Sequence, residues 1–268
     1  MTGSVPGPLR VSVLGYGSIG SVVVERLRSG AVPGARLVGV VCRSPIDDPT
    51  IPQCDLGDAI DESDIVVECA SQEAVWDVAD RVLTAGRDLL VSSVGALSDP
   101  DFARGLTELG PGRIVCTHGA VGGLDLLAAA GDAAPFDRVL VRTTKTPASL
   151  VQPWMDPVER ARVRDTGERI LVFEGPSDTA VRRFPKSLNV AAAVGFAVRD
   201  PTLVTVQLYA DPAATLTCHE IEACGPIGRY AVRIENLPSE DNPRTSAVVP
   251  FSILRTLAQR TARPNLIA

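Results

Sequence analysis

The sequence predicts an α/β protein, with an N-terminal doubly wound parallel sheet and a second, α+β domain whose sheet is mostly antiparallel. Three observations predict this fold. Short, almost wholly apolar segments alternate with helical patterns in the first part of the chain, which is typical of parallel strands covered on both faces. A glycine-rich turn joins the first strand to the first helix. The later segments alternate in polarity, as strands with one solvated face do.

The elements of the first domain follow in order. Residues Leu9 to Leu14 form the first predicted strand, and "SVVVERLRSGA" is a helix that ends at Gly30. "ARLVGVVCRS" is the second strand. Further strands lie in "SDIVVECAS" (63–71) and "RDLLVSSVG" (87–95), with the helix "EAVWDVADRVLTAG" between them. We expect this domain to span residues 1–118.

The second domain is expected to span residues 119–243 and to contain five strands and one clear helix. The helix begins near "PKSLNVAAAVGFAVRD", and the strands lie in "DRVLVRTTKTP", "ERILVFEGPS", "TLVTVQLYAD", "TCHEIEAC" and "GRYAVRIENL". Residues 244–268 are expected to form a last helix that returns to the first domain. Thr245 is its predicted N-cap, and Pro250 is expected to set its start back. One face of so small a sheet would stay bare, which predicts a homodimer through that face.

Composition excludes several classes of function. The formal charge is −6, and no basic run with interleaved aromatic residues occurs, so we expect no nucleic-acid partner. The six cysteines form no C-x-x-C pair, which argues against a zinc site or a disulfide framework, and no metal is expected. The N-terminus lacks a signal-peptide pattern, and the longest apolar run is too short to span a bilayer. A cytoplasmic protein with a small-molecule substrate is therefore expected.

The turn "GYGSIG" matches the pattern G-x-G-x-x-G through Gly15, Gly17 and Gly20. The first glycine allows a tight turn, the second allows close approach to a pyrophosphate, and the third allows close packing of helix on strand. Ser18 and Ile19 complete the turn, where the helix N-terminus faces the phosphates. Because the pattern follows a strand and opens a helix, it indicates a Rossmann dinucleotide-binding domain; the alternative is a purely structural turn.

The end of the second strand bears on the choice between NAD and NADP. Proteins that prefer NAD usually carry an acidic residue there for the ribose 2′-hydroxyl, whereas this chain has Arg43 and Ser44. A guanidinium suits the 2′-phosphate of NADP. Alternatively, Arg43 stacks over the adenine or faces solvent, so the cofactor is expected to be NADP or NAD.

Seven stretches together resemble the L-aspartate dehydrogenase family nearly from end to end. They are "GYGSIG", "VVECAS", "SSVGALSD", "GAVGGLD", "FPKSLNVAAA", "HEIE" and "ENLPSEDNPRTS". The resemblance implies a reversible, NAD(P)-dependent oxidative deamination of L-aspartate to oxaloacetate and ammonia through iminosuccinate. It leaves open whether the protein works in the aminating direction or supplies iminosuccinate for NAD biosynthesis.

The resemblance also implies roles for particular residues. Ala120 and Asn189 correspond to residues that hold the nicotinamide end of the cofactor, Ala70 lies in a cofactor-side motif, and His219 corresponds to the catalytic histidine. A histidine has an unperturbed pKa of about 6.5 and can take a proton from the amine or the attacking water. We therefore expect kcat/KM to fall on acidification through an ionisation near neutrality. The alternative is a structural histidine.

Neighbours of His219 in sequence are not expected to act with it. Successive strand residues point to opposite faces, so Glu220 does not orient the ring and Cys218 does not pair with it as a nucleophile. The group that orients His219 is left open.

A dicarboxylate substrate requires cations or oriented amides. Lys186, before the second-domain helix, is the candidate cation, and the amides of Gly122 and Gly123 are candidate anion binders. His118 stands where relatives carry a small hydroxylic residue, so a substrate contact is expected there. The alternatives are a solvated Lys186, a loop hydrogen bond for His118 and an N-cap role for Asn189. Two other functions stay open: a dehydrogenase or imine reductase for a different amino acid, and a catalytically silent dinucleotide sensor.

Overall fold

The structure, a computed structural model, describes residues 7–261. Residues 1–6 and 262–268 lie outside the described residues, and with them most of the N-terminal segment that lacks a signal-peptide pattern and the end of the predicted last helix. The chain divides into two compact units. The first comprises the described residues up to Ala96, Asp101–Thr117 and those from Pro250 onward, and the second comprises Leu97–Pro100 and His118–Val249.

The first unit is built on a sheet of five parallel strands. Their order is β2-β1-β3-β4-β5, with β1 at Leu9–Leu14, β2 at Ala35–Val41, β3 at Ile65–Glu68, β4 at Asp88–Val91 and β5 at Ile114–Cys116. The strand order reverses between β1 and β3, and ligands of such sheets bind at the carboxyl ends of the strands at this point. The predicted doubly wound parallel sheet is confirmed.

Four helices accompany this sheet along the chain. They are α1 at Gly20–Arg28, α2 at Leu56–Glu62, α3 at Gln72–Thr84 and α4 at Pro100–Glu108. The sequence predicted α1 and α3 and missed the other two. The helix α2 is too short to show a helical period, and the side chain of Asp55 fixes its start by accepting a hydrogen bond from the Asp58 N–H at 2.9 Å.

The second unit contains a mixed sheet in the order β10-β9-β6-β8-β7. The strands are β6 at Arg138–Lys145, β7 at Ile170–Pro176, β8 at Val204–Ala210, β9 at Thr217–Gly225 and β10 at Gly228–Asn236. All neighbours are antiparallel except β6 and β8, which are parallel. That pair is parallel because the chain between them crosses over through helices and β7 rather than through a hairpin. The predicted mostly antiparallel sheet is confirmed.

This sheet has one buried and one open face. Val139, Val141 and Ile221 are buried on one side, whereas Arg142 and Glu222 form an ion pair of 2.6 Å on the other. The helices of the unit are α5 at Leu124–Ala133, α6 at Pro147–Leu150, α7 at Pro157–Arg164, α8 at Ser177–Arg183 and α9 at Asn189–Ala197. The sequence indicated only α9 clearly, because the others are short or lack a strong contrast between their faces.

The last helix, α10 at Val249–Thr261, packs on the first unit. Ile253, Leu254 and Leu257 lie in the same apolar core as β1 and β3, and Arg260 pairs with Asp88. The predicted N-cap was wrong: α10 begins four residues after Thr245, whose N–H instead bonds to the Asn242 carbonyl in a turn. None of the helices in the range 7–261 combines the length and apolar character needed to cross a membrane.

Candidate active site

The glycine loop lies between β1 and α1 in the first unit. Gly15 has a φ of +101°, and a Cβ atom there would lie 2.8 Å from the Cys69 carbonyl oxygen. A Cβ atom on Gly20 would lie 2.0 Å from the Gly15 carbonyl oxygen. A Cβ atom on Gly17 would meet no atom within 4 Å. The fold of the loop therefore requires Gly15 and Gly20, whereas Gly17 borders open space into which a pyrophosphate would fit.

The helix that follows the loop is open at its N-terminus. Ile19 occupies the N-cap position of α1 and provides no side-chain cap, and Ser18 precedes it in the turn. Backbone N–H groups of a first turn without such a cap can bind phosphate, and the helix dipole favours a negative charge there. The loop and the helix end thus fit a dinucleotide.

A buried carboxylate fixes the neighbouring loops. Glu68 ends β3 with no exposed surface, and it accepts backbone hydrogen bonds from Ala70 at 2.7 Å, Ser92 at 3.1 Å and Ser93 at 2.8 Å. Burial raises the pKa of Glu68, and hydrogen bonds from Ser93 and Ala70 oppose that rise. Ala70 in turn borders Gly15, since a Cβ atom on Gly15 would lie 3.0 Å from the Ala70 Cα. Glu68 therefore positions the loops after β3 and β4 beside the glycine loop.

Arg43 and Ser44 follow β2, which neighbours β1 in the sheet. Both are exposed. The Ser44 carbonyl accepts hydrogen bonds from Gln53 Nε2 at 3.1 Å and from the Cys42 thiol at 3.2 Å, which fix this turn. Within residues 7–261, no hydrogen bond or ion pair engages the guanidinium of Arg43. The side chain is available to an external phosphate.

His219 lies in β9, in the second unit, and is almost fully buried at 2% exposure. The pairing of β9 with β6 places His219 directly opposite Thr143, and Thr143 Oγ1 lies 3.0 Å from His219 Nδ1. When Nδ1 carries the ring proton, it donates to Thr143 and leaves Nε2 as an acceptor. Thr143 is thus the orienting group that the sequence left open.

The residues adjacent to His219 lie on the other face of the sheet. Glu220 pairs there with Arg233 at 2.8 Å, and burial raises the pKa of the Cys218 thiol. Neither side chain shares a face with the imidazole.

Lys145 is the last residue of β6, two residues beyond Thr143 and therefore on the same face of the sheet as His219. It is 4% exposed, and its Nζ donates a hydrogen bond of 2.6 Å to the carbonyl oxygen of Arg244. Burial, and next the positive charge of Arg244, lower the pKa of Lys145 to about 8. A buried ammonium thus lies beside the imidazole.

The loop that follows the first unit covers part of the same sheet face. Ala120 is buried, and its carbonyl accepts a hydrogen bond of 2.9 Å from Asn236 Nδ2. A Cβ atom on Gly122 would contact Ile234, the partner of His219 in β10, and one on Gly123 would lie 3.2 Å from Val232. Ala120, Gly122 and Gly123 are thus brought to the face that carries His219.

His118, at the start of this loop, is exposed, and the described residues offer its ring no hydrogen-bond partner. Its carbonyl accepts the Val121 N–H at 3.4 Å. The ring is therefore free to contact a ligand.

Asn189 and Lys186 lie at the start of α9. Asn189 is the first residue of the helix and Leu188 occupies the N-cap position, so Asn189 is not the N-cap. Lys186 is exposed, and no hydrogen bond or ion pair to it occurs in the part of the chain that the structure describes. The structure shows no contact that brings Lys186 to His219.

The ionisation of His219 differs from the expected one. Burial, and next the positive charge of Lys145, lower the pKa of His219 from 6.5 to about 3. The ring is therefore neutral at neutral pH and can accept a proton. This lowered pKa argues against the expected fall of kcat/KM through an ionisation of His219 near neutrality, because burial beside an ammonium disfavours the charged ring. A pH profile of kcat/KM tests that expectation.

This lowered pKa predicts that acid destabilises the fold through His219. In the unfolded chain the ring takes up a proton as the pH falls below about 6.5, whereas in the folded chain it does so only near pH 3. Between these two pH values, the free energy of unfolding should therefore decrease by about 1.4 kcal/mol for each unit by which the pH falls. Urea titrations of the wild type and of His219→Asn at several pH values measure this slope. If the stability difference between the two proteins does not change with pH, the prediction fails.

Sequence reasoning missed three residues of these sites: Glu68, Thr143 and Lys145. Each had a signal. Glu68 is the acidic residue at the end of an apolar strand, and the sequence contains only two lysines, Lys145 and Lys186. In "RTTK", Thr143 and Lys145 also share a strand face.

The chain matches known protein families over most of its length. Residues 125–260 match the family model described as aspartate dehydrogenase, C-terminal, and residues 15–111 match that of the homoserine dehydrogenase NAD-binding domain. The chain is 34% identical to an L-aspartate dehydrogenase of Methanopyrus kandleri, over 94% of this chain and 96% of the relative. It is 33% identical to L-aspartate dehydrogenase 2 of Bordetella pertussis, over 95% and 97%.

The structure is also similar to the crystal structure of aspartate dehydrogenase from Thermotoga maritima. The TM-score is 0.77 at 28% identity, over 96% of this chain and 99% of that one. A doubly wound sheet with an open glycine loop, joined to a second unit with a buried histidine, defines an oxidoreductase that uses NAD or NADP. More specifically, the chain belongs to the L-aspartate dehydrogenase family.

Proposed function

We propose that this protein oxidises L-aspartate to oxaloacetate and ammonia with NAD or NADP, reversibly and through iminosuccinate. The observation that carries the proposal is the buried, neutral His219, which Thr143 orients on the sheet face covered by the Ala120 loop. Family membership supports aspartate as the substrate.

Bound NAD or NADP in its oxidised form would supply the acceptor for the hydride that leaves the substrate Cα. Ala120 and Asn189 would hold its nicotinamide end, and Gly15, Gly17 and Gly20 would admit its pyrophosphate. His219 Nε2 takes a proton from the substrate amine as the C=N bond forms, or from the water that then adds to the imine carbon. Loss of ammonia yields oxaloacetate, and one water is consumed per turnover. Thr143 orients the ring, and Nε2 is the proton acceptor when Nδ1 carries the ring proton and donates it to the Thr143 hydroxyl.

The direct test is an assay of the purified protein with L-aspartate and each oxidised cofactor, in which reduced nicotinamide and oxaloacetate are both measured. Stoichiometric formation of the two products supports the proposal. Faster turnover of another amino acid would instead indicate a substrate change, for which His118 is the first residue to examine. Cofactor binding without turnover of any amino acid or keto acid would indicate a silent sensor.

The exposed guanidinium of Arg43 supports acceptance of NADP. Arg43→Ala is expected to raise the KM for NADP by about tenfold or more and to change that for NAD by about twofold at most, because only the 2′-phosphate presents a dianion to the guanidinium. Steady-state kinetics with both cofactors give the two values. Equal changes in the two KM values would show that Arg43 does not bind the phosphate.

We further propose a homodimer formed through the open face of the second sheet, where the pairs Arg142–Glu222 and Arg233–Glu220 lie. A sheet face left open to solvent is suited to pairing with a second copy. Sedimentation velocity checks this, and a monomer at all concentrations would refute it.

A further inference from the structure

The ammonium of Lys145 has no counter-ion in the described part of the chain. Its single hydrogen bond among these residues runs to a neutral acceptor, the Arg244 carbonyl, which leaves two N–H donors of the ammonium without a partner. At 4% exposure the charge is also largely removed from water. A buried charge without a partner of opposite sign is costly to a fold, so a purely structural role does not account for it.

The surroundings of Lys145 are positive in a chain whose formal charge is −6. The half-buried Arg244 lies close enough to lower the pKa of Lys145, and its guanidinium has no hydrogen bond or ion pair within residues 7–261. Lys145 in turn lies close enough to His219 to lower the pKa of the ring. Two cations and a neutral imidazole thus share this region, and no acidic side chain pairs with either cation among the described residues.

Such a cluster is suited to an anion. A carboxylate can accept both free N–H donors of Lys145, while the guanidinium of Arg244 offers a planar pair of donors. An anion bound at Lys145 would also lie next to the imidazole of His219, which is the proposed proton acceptor. Lys186, the cation expected from sequence, is exposed and has no comparable relation to His219.

We infer that Lys145, together with Arg244, binds a carboxylate of the amino-acid substrate beside His219 and so sets the preference for a dicarboxylate. The inference rests on the proposed function, because it assigns the substrate-binding cations of the same site. A carboxylate bound there supplies the missing counter-ion of the buried ammonium. Lys145 then contacts the substrate without having to move a proton.

The test compares Lys145→Met with the wild type, both loaded with NADP. Methionine keeps a similar length and removes the charge. We expect the KM for L-aspartate to rise about 100-fold, as for truncation of one partner of a buried charge pair, and the dinucleotide affinity to change by twofold at most. Arg182→Met is the control, because it removes an exposed arginine that pairs with Asp178 on α8. It should behave as the wild type.

A binding measurement separates substrate recognition from a structural role. Succinate, a dicarboxylate that cannot react, should raise the melting temperature of the wild type and of Arg182→Met, but not that of Lys145→Met. A lysine that only held the Arg244 loop would leave the effect of succinate intact. If Lys145→Met does not fold, Arg244→Met is the second test, because it removes the guanidinium and keeps the backbone carbonyl that accepts the hydrogen bond from Lys145. We expect Arg244→Met to weaken succinate binding about tenfold.

The substrate panel identifies the carboxylate. Because Lys145 is inferred to set the preference for a dicarboxylate, Lys145→Met should raise the KM for L-aspartate and change the KM for L-asparagine by about twofold at most. Equal increases in the two KM values would show that Lys145 binds the α-carboxylate and would overturn its role in the preference for a dicarboxylate. An unchanged KM and unchanged succinate binding in folded variants would overturn the inference and leave the proposed function intact. Lys145-dependent succinate binding without turnover of aspartate would support the inference and refute the proposed function.

Discussion

Replacing His219 with alanine is expected to lower kcat by about 10² to 10⁴-fold and to change the affinity for the dinucleotide little. The magnitude is that of a lost general acid-base group. His219 is buried and neutral, and its Nδ1 lies 3.0 Å from Thr143 Oγ1, so Nε2 is the proton acceptor when Nδ1 carries the ring proton. The cofactor affinity should persist because the glycine loop belongs to the other unit. Steady-state kinetics and fluorescence titration with reduced cofactor measure the two quantities.

Three further variants test whether the loss of kcat comes from a lost proton acceptor. His118→Ala alters an exposed ring in the substrate loop, so it should act through the KM or the choice of substrate and leave kcat within about threefold. Thr143→Val removes the hydroxyl that orients His219 and should lower kcat about tenfold, whereas Thr143→Ser should retain most of the activity. If folded His219→Ala turns over at nearly the wild-type rate, the acid-base assignment is wrong.

Gly20→Ala is expected to destabilise the first unit by about 3 kcal/mol or more and to abolish dinucleotide binding. A Cβ atom at this position would lie 2.0 Å from the Gly15 carbonyl oxygen, and the atom it meets is backbone. The loop or α1 must therefore shift, which costs more than ordinary overpacking. Urea unfolding and a dinucleotide titration measure the two effects.

Gly17→Ala, in the same loop, is the matched control for Gly20→Ala. Its Cβ atom would meet nothing within 4 Å, so the free energy of unfolding should change by about 1 kcal/mol at most, whereas the added methyl group would occupy space expected for the pyrophosphate. We expect dinucleotide affinity to fall by about tenfold or more. Equal stabilities for Gly17→Ala and Gly20→Ala would contradict the steric account.

Local patterns were sufficient to predict most of the strands. Apolar runs predicted β1 to β4, and alternation predicted the five strands of the second sheet, because the side-chain period of a strand is directly readable. The short helices α2, α6 and α8 were missed because they span too few residues to show a period. Parallel pairing of β6 with β8 was also not readable, since it depends on the path of the intervening chain.

The residues of the candidate site also separate into those that the sequence indicated and those that only the tertiary structure revealed. The glycine spacing and Arg43 after β2 were identified from the sequence by itself, because each rests on a spacing or a residue type within one segment. His219 stood out as a scarce residue, and its catalytic role was implied by the resemblance to the family. Only the tertiary structure revealed that Thr143 orients His219, that Lys145 lies beside the imidazole and that Glu68 joins the loops after β3 and β4. These residues are separated along the chain and meet through strand register. Their burial, which lowers the pKa of His219 to about 3, is likewise a property of the packed sheet and not of any single segment.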